Sequence, residues 1–103
     1  MSLQKLVRDK IPDLIRARGA EPLTRVLSVE EFRDALLDKF SEELDEFARD
    51  PSAEELADVC EVLRGLSDCF GIPFEHVEQA RKQKYESRGG FQQRIFLEGI
   101  REP

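Results

Sequence analysis

Residues 28–70 read SVEEFRDALLDKFSEELDEFARDPSAEELADVCEVLRGLSDCF. Within this stretch, apolar residues recur every three or four positions over 29–47 and again over 56–70, which is the period of an amphipathic helix. A short connection, Asp50-Pro51-Ser52, separates the two periodic runs. Two helices joined by so short a turn are expected to pack antiparallel. The sequence therefore predicts a helical hairpin at the centre of the chain.

The ends of the two predicted helices carry capping residues. Ser28 followed by Glu31 matches a capping box, so the longer helix is predicted to begin there and to end near residue 49. Either Asp50 or Ser52 can cap the shorter helix, and Gly71 can end it. Both helices are therefore bounded by local signals that do not depend on tertiary structure.

One further helix is predicted before the hairpin and one after it. Apolar residues over 6–18 have helical spacing, and Pro12 restricts that helix to a start near Lys10. Pro73 suits a first helical turn, and a fourth helix is predicted to reach about Arg88, before two glycines.

Two short segments outside these helices are weaker candidates for extended structure. Leu23 to Leu27 contains β-branched residues, and Arg94 to Ile100 alternates weakly, so the two segments could pair as a two-stranded ribbon. The predicted fold is all-α, an antiparallel bundle of about four helices with this possible ribbon. It forms a single domain over residues 1–103.

Composition narrows the function classes. The net charge of −6 argues against nucleic-acid binding, because affinity for a polyanion depends on Lys and Arg. No run of about 18 apolar residues and no secretory leader is recognisable, so we expect no membrane span and a cytoplasmic protein. Cys60 and Cys69 lie too far apart on one predicted helix to form a disulfide, so free thiols are expected.

Four carboxylates interrupt the apolar faces of the hairpin or lie at their edges. Glu43 and Glu46 are one helical turn apart on the first helix, as are Glu55 and Asp58 on the second. On a helical wheel with about 100° per residue, Glu43 falls inside the apolar sector and Glu55 falls between apolar residues, whereas Asp45 faces solvent. An unpaired buried carboxylate needs a cation, strong hydrogen bonds or a proton.

Divalent cations would satisfy several converging carboxylates at once. Mg²⁺ prefers oxygen ligands and is commonly held by carboxylates together with substrate phosphates, so Glu43, Glu46, Glu55 and Asp58 are predicted metal ligands. Glu42 lies beside them in sequence and could position or deprotonate water. Two simpler interpretations stay open: a solvated acidic helix face, and a capping box formed by Ser52 and Glu55.

Basic residues near both ends of the chain could bind phosphate. Arg81, Lys84 and Arg88 follow one face of the fourth predicted helix, and Lys5 and Arg8 lie in a second basic cluster. Ordinary surface charge is the alternative for the second cluster. The sequence contains no Walker loop or dinucleotide-binding glycine motif, so phosphate recognition would depend on metal and side chains.

These motifs resemble those of a known family. Glu42-Glu43-x-x-Glu46 followed by Glu55-x-x-Asp58 resembles the signature of the all-α nucleoside triphosphate pyrophosphatases, the MazG-like superfamily. The segments Lys5-Leu6-Val7-Arg8-Asp9-Lys10-Ile11-Pro12 and Arg88-Gly89-Gly90-Phe91 resemble its small house-cleaning members, which act on non-standard nucleotides. The resemblance covers nearly the whole chain.

The resemblance implies a function and a set of roles. It implies Mg²⁺-dependent cleavage of a nucleoside triphosphate to the monophosphate and pyrophosphate, with Mn²⁺ as a possible substitute, in a homodimer or homotetramer. Glu43, Glu46, Glu55 and Asp58 match the metal ligands, Glu42 matches the first glutamate of the motif, and Lys84 and Arg88 match the basic pair that faces the phosphates.

Two alternative functions stay open from the sequence. A phosphoribosyl-ATP pyrophosphohydrolase would use the same carboxylates, so only the substrate distinguishes it. A non-catalytic helical interaction module would use the acidic face for solubility or to bind a basic partner, and it would show no metal-linked stabilisation.

Overall fold

The computed structural model describes residues 4–103 and contains four helices. They are α1 (Ile11–Ala17), α2 (Val29–Arg49), α3 (Ala53–Cys69) and α4 (Phe74–Arg88). No strand occurs within residues 4–103, so the all-α prediction is confirmed. Residues 6–10 precede α1 instead of joining it, in keeping with the start that Pro12 imposes near Lys10.

The chain divides into two compact units, Met1–Ile72 and Pro73–Pro103. The first unit contains α1, α2 and α3, and the second contains α4 and the segment that follows it. The three carboxylates described below all belong to the first unit. The prediction that the whole chain forms one domain stays a prediction.

Local capping residues determine where α2 and α3 begin. Ser28 Oγ accepts a hydrogen bond from the Glu31 amide at 3.2 Å, and the Glu31 carboxylate accepts one from the Ser28 amide at 3.1 Å. This reciprocal pair is the predicted capping box. At α3, Ser52 rather than Asp50 is the cap, because Ser52 Oγ accepts from the Glu55 amide at 3.1 Å.

The α2–α3 pair forms the core of the first unit. Leu36 on α2 is 5% exposed and Val59 on α3 is also buried. Gly65 on α3 lies against Leu36, since a Cβ added at Gly65 would be 3.2 Å from Leu36 Cδ2. The absence of a side chain at residue 65 therefore allows the two helices to approach closely at this level.

The predicted ribbon is wrong. The segments 23–27 and 94–100 have no strand assignment, and Leu23 and Val26 are 92% and 98% exposed. Apolar side chains with that exposure supply no packing, and a two-stranded ribbon without packing is marginal in water. Residues 23–27 lie in the connection between α1 and α2.

None of the helices within residues 4–103 has the length and apolar character needed to cross a membrane. Cys60 and Cys69 are free thiols, as predicted.

Candidate metal centre

Three of the predicted ligands converge between α2 and α3. Glu43 on α2 and Glu55 and Asp58 on α3 each present a carboxylate oxygen, and these oxygens all lie within 4.8 Å of one another. Glu55 and Asp58 are one turn apart on α3, and the antiparallel pairing of α2 brings Glu43 to them. The short connection between the helices thus joins the two acidic motifs into one cluster, which we call the carboxylate cluster.

Glu43 is the buried member of the carboxylate cluster. The residue is 6% exposed, and its Oε2 atom is buried without a hydrogen-bond partner. Its other oxygen, Oε1, lies 3.4 Å from Lys39 Nζ, one turn earlier on α2. The wheel prediction that Glu43 points into the apolar face is therefore confirmed, and one of its oxygens stays available for a further partner.

Glu55 is half-buried and has an unsatisfied oxygen of its own. Its amide donates to Ser52, but its side chain does not return a hydrogen bond, and Oε2 is buried without a partner. The Ser52–Glu55 pair is thus only half of a capping box. The cap therefore does not account for the position of the Glu55 carboxylate.

Burial and neighbouring carboxylates raise the pKa of Glu55 above its ordinary value. Loss of solvation is the largest cause, followed by the charges of Glu46, Asp58, Glu43 and Asp50. All these effects disfavour the ionised form. An adjacent cation would favour the ionised form instead, so the negative charge on Glu55 is strained unless a cation lies beside it.

We expect Glu55→Gln to stabilise the metal-free protein at neutral pH. Because the pKa of Glu55 is raised in the folded state, that state retains its proton to a higher pH than the unfolded state does. Stability therefore falls as pH rises from the ordinary glutamate pKa through the raised one. The variant should have a higher urea midpoint than the wild type at pH 7 in EDTA and a weaker pH dependence over this window.

Glu54→Gln is the matched control for this comparison. Glu54 lies beside Glu55 in the first turn of α3, so both variants lose a similar interaction with the helix dipole. Glu54 is exposed and lies outside the carboxylate cluster. A lower urea midpoint for Glu55→Gln than for Glu54→Gln at pH 7 would contradict the assignment of strain to Glu55.

Glu46 and Glu42, the other acidic residues predicted to act at this site, are more exposed than Glu43 and Glu55. Glu46 is exposed and lies outside the group of converging oxygens, although its charge contributes to the raised pKa of Glu55. Glu42 is also exposed and adjoins Glu43 in sequence. The structure therefore brings three of the four predicted ligands together and leaves Glu46 at the periphery.

The predicted phosphate-binding residues belong to two different parts of the chain. Arg8 lies in the first unit and donates to Asp58 (Nη2 to Oδ1, 2.7 Å). Arg81, Lys84 and Arg88 lie on α4 in the second unit, where Arg81 pairs with Glu78 at 2.6 Å. Lys5 is exposed.

Sequence reasoning missed two contacts of the carboxylate cluster. The Lys39–Glu43 contact could have been predicted from the sequence, because Lys39 precedes Glu43 by four residues on one helix and can therefore reach it. No sequence pattern predicted the Arg8–Asp58 contact, because the two residues are 50 positions apart in the chain.

The carboxylate cluster fits a hard divalent cation. Its three side chains offer only carboxylate oxygens as ligands. In both Glu43 and Glu55, the Oε2 atom is buried without a hydrogen-bond partner. Buried carboxylate oxygens are normally paired or bound to metal, and Mg²⁺ and Mn²⁺ favour such ligands. The donor set, the burial and the raised pKa of Glu55 therefore agree with a cation at this position.

Comparison with known proteins adds a partial relative. No protein-family model matches the chain, and no solved structure matches it. A stretch of 44 residues is 50% identical to part of an uncharacterized protein from Mycolicibacterium smegmatis. The match covers 43% of this chain and 45% of that protein, so it spans less than half of the relative. Membership of the MazG-like superfamily is thus a proposal based on the motifs.

Proposed function

We propose that the chain is a Mg²⁺-dependent nucleoside triphosphate pyrophosphohydrolase of the MazG-like type. It would cleave non-standard nucleoside triphosphates to the monophosphate and pyrophosphate. The observation that carries the proposal is the convergence of Glu43, Glu55 and Asp58 within 4.8 Å, with buried oxygens that lack partners. An acidic face that served only solubility would keep its carboxylates in water.

The residues of the carboxylate cluster have distinct roles in this proposal. Glu43, Glu55 and Asp58 would hold the ion, and exposed Glu46 could join them by a change of side-chain rotamer. When bound, Mg²⁺ neutralises phosphate charge and lowers the pKa of a coordinated water. Glu42, which is exposed next to Glu43, would orient the attacking water.

The basic residues would neutralise the leaving pyrophosphate. Charge-assisted hydrogen bonds from Arg and Lys stabilise the negative charge that collects on the departing group. We assign this role to Arg81, Lys84 and Arg88 from the sequence pattern, with Lys5 and Arg8 as further candidates. A homodimer or homotetramer is part of the same proposal.

Product analysis across a nucleotide panel tests the proposed reaction. The purified protein is incubated with standard nucleoside triphosphates, base-modified triphosphates and phosphoribosyl-ATP, with and without Mg²⁺. We expect equal amounts of nucleoside monophosphate and pyrophosphate from at least one triphosphate, only when Mg²⁺ or Mn²⁺ is present. Cleavage limited to phosphoribosyl-ATP would favour the alternative substrate.

Two outcomes would contradict the proposal. Release of nucleoside diphosphate and inorganic phosphate would place the cleavage at the wrong phosphoanhydride bond. No turnover of any nucleotide would favour a non-catalytic interaction module. Asp58→Asn, purified in the same way, identifies any signal from a contaminating phosphatase, since such a signal would persist in the variant.

A further inference from the structure

We propose that Arg8 competes with the metal ion for Asp58, so that metal binding releases the Arg8 guanidinium from the carboxylate cluster. This inference rests on the metal site of the proposed function. It adds that Arg8 lowers the metal affinity of the free protein. The released guanidinium then becomes available to an anionic group of the substrate.

The geometry places Arg8 on a member of the cluster. Arg8 Nη2 donates to Asp58 Oδ1 at 2.7 Å, and Asp58 presents a carboxylate oxygen to Glu43 and Glu55. Arg8 belongs to the non-helical segment that precedes α1. Its attachment to Asp58 therefore ties this segment to α3 through a ligand of the proposed site.

Charge balance explains the competition. Three carboxylates converge, and side-chain cations contact two of them: Lys39 lies at Glu43, and Arg8 lies at Asp58. A divalent cation bound to Asp58 would repel a guanidinium held at the same carboxylate, and both would draw on the lone pairs of that group. Removal of Arg8 leaves more uncompensated negative charge for the metal.

The Arg8–Asp58 pair is weak enough to be displaced. Its side chains are 58% and 44% exposed, so both groups can return to water when they separate. Exposed ion pairs contribute little to stability. The Lys39–Glu43 pair is more buried, with side-chain exposures of 24% and 9%, and is expected to be harder to displace. The metal ion is therefore expected to displace Arg8 before Lys39.

Calorimetric titration with MgCl₂ at constant ionic strength tests the competition. The proteins are wild type, Arg8→Gln, Arg8→Lys and Arg16→Gln. Arg16 pairs with Asp13 within α1 at 2.9 Å, so its loss removes the same charge from a pair outside the cluster. We expect Arg8→Gln to bind Mg²⁺ about two- to fivefold more tightly than wild type, the range set by an exposed ion pair. The Arg8→Lys and Arg16→Gln variants should stay near wild type.

A second measurement follows the Arg8 side chain directly. In the wild type, Mg²⁺ should shift the guanidinium resonances of Arg8 toward the positions that they occupy in metal-free Asp58→Asn, in which the ion pair is lost. The Arg16 resonances should not move. Unchanged Arg8 resonances at saturating Mg²⁺ would show that the pair survives metal binding and would overturn the proposal.

The outcomes separate this proposal from the metal site itself. Mg²⁺ binding to wild type with unchanged or weaker binding to Arg8→Gln overturns the competition and leaves the metal site intact, since Arg8 would then hold Asp58 in place for the ion. An absence of Mg²⁺ binding in both proteins overturns the two proposals together. Mg²⁺ binding that is tighter than wild type in Arg8→Gln, but not in Arg8→Lys or Arg16→Gln, supports both the metal site and the competition.

Discussion

Replacing Glu43 with glutamine is expected to lower Mg²⁺-dependent nucleotide turnover about a hundredfold or more while the protein stays folded. Glu43 is buried, and its Oε2 atom is free to bind a cation. Even residues that only orient a metal ligand contribute about 10–100-fold, so loss of a ligand charge should exceed that range. Glutamine keeps the shape of glutamate and removes the cost of a buried charge. Initial rates and far-UV circular dichroism, measured on the same samples, check both parts.

Asp45→Asn is the matched control for this variant. Asp45 lies two residues away on α2, carries the same charge and is exposed. Its change should leave turnover within about twofold of wild type, because surface substitutions away from a site have small effects. Wild-type turnover in Glu43→Gln, or an equal loss in Asp45→Asn, would contradict the assignment of Glu43 as a ligand.

Replacing Leu36 with alanine is expected to cost about 2–5 kcal/mol of unfolding free energy, the range for a large-to-small change in a core. Leu36 is 5% exposed and lies against Gly65, where no side chain is present to fill the resulting cavity. Small domains have only about 5–15 kcal/mol of stability, so the variant should be partly unfolded at moderate temperature. Urea unfolding, monitored by circular dichroism, measures the difference in unfolding free energy between the variant and the wild type.

Leu37→Ala separates packing from helix propensity. Leu37 follows Leu36 on α2, so the two substitutions change the intrinsic helix preference equally, but Leu37 is 52% exposed. Its replacement should cost much less than that of Leu36. Equal losses in the two variants would mean that the close approach of α2 and α3 at Leu36 does not stabilise the unit.

The helix boundaries were largely predictable from the sequence because their signals are local. The capping box at Ser28 and the cap at Ser52 each involve residues three positions apart, and both are present in the structure. The end of α4 at Arg88, before Gly89, likewise follows from a glycine with a positive φ angle of 81°. Such features form without any information about tertiary packing.

Burial of the acidic residues was predictable where helical periodicity decides it. The wheel placed Glu43 in the apolar sector and Asp45 in solvent, and the structure confirms both. Glu46, one of the four carboxylates predicted to interrupt an apolar face or to lie at its edge, proves to be exposed. A position at an edge does not determine whether a flexible glutamate turns inward or outward.

Long-range pairings could not be predicted from these patterns. The Arg8–Asp58 contact depends on how the segment before α1 reaches α3, and no local motif encodes that path. The predicted ribbon failed for a related reason, since strand pairing needs a packed face that residues such as Val26 do not have. Sequence periodicity describes single elements and leaves contacts between distant segments undetermined.

Thermal unfolding of the wild type with increasing MgCl₂ tests most directly whether Glu43, Glu55 and Asp58 bind a divalent cation. The control is KCl at matched ionic strength, because salt alone screens repulsion among exposed carboxylates. Binding to the folded state alone should add about 2.7 kcal/mol at a hundred times Kd, which raises Tm by several degrees or more in a domain of this size. We predict a saturable Mg²⁺-specific rise that Glu43→Gln abolishes. Equal shifts with MgCl₂ and KCl, or an undiminished Mg²⁺ response in Glu43→Gln, would contradict the metal site.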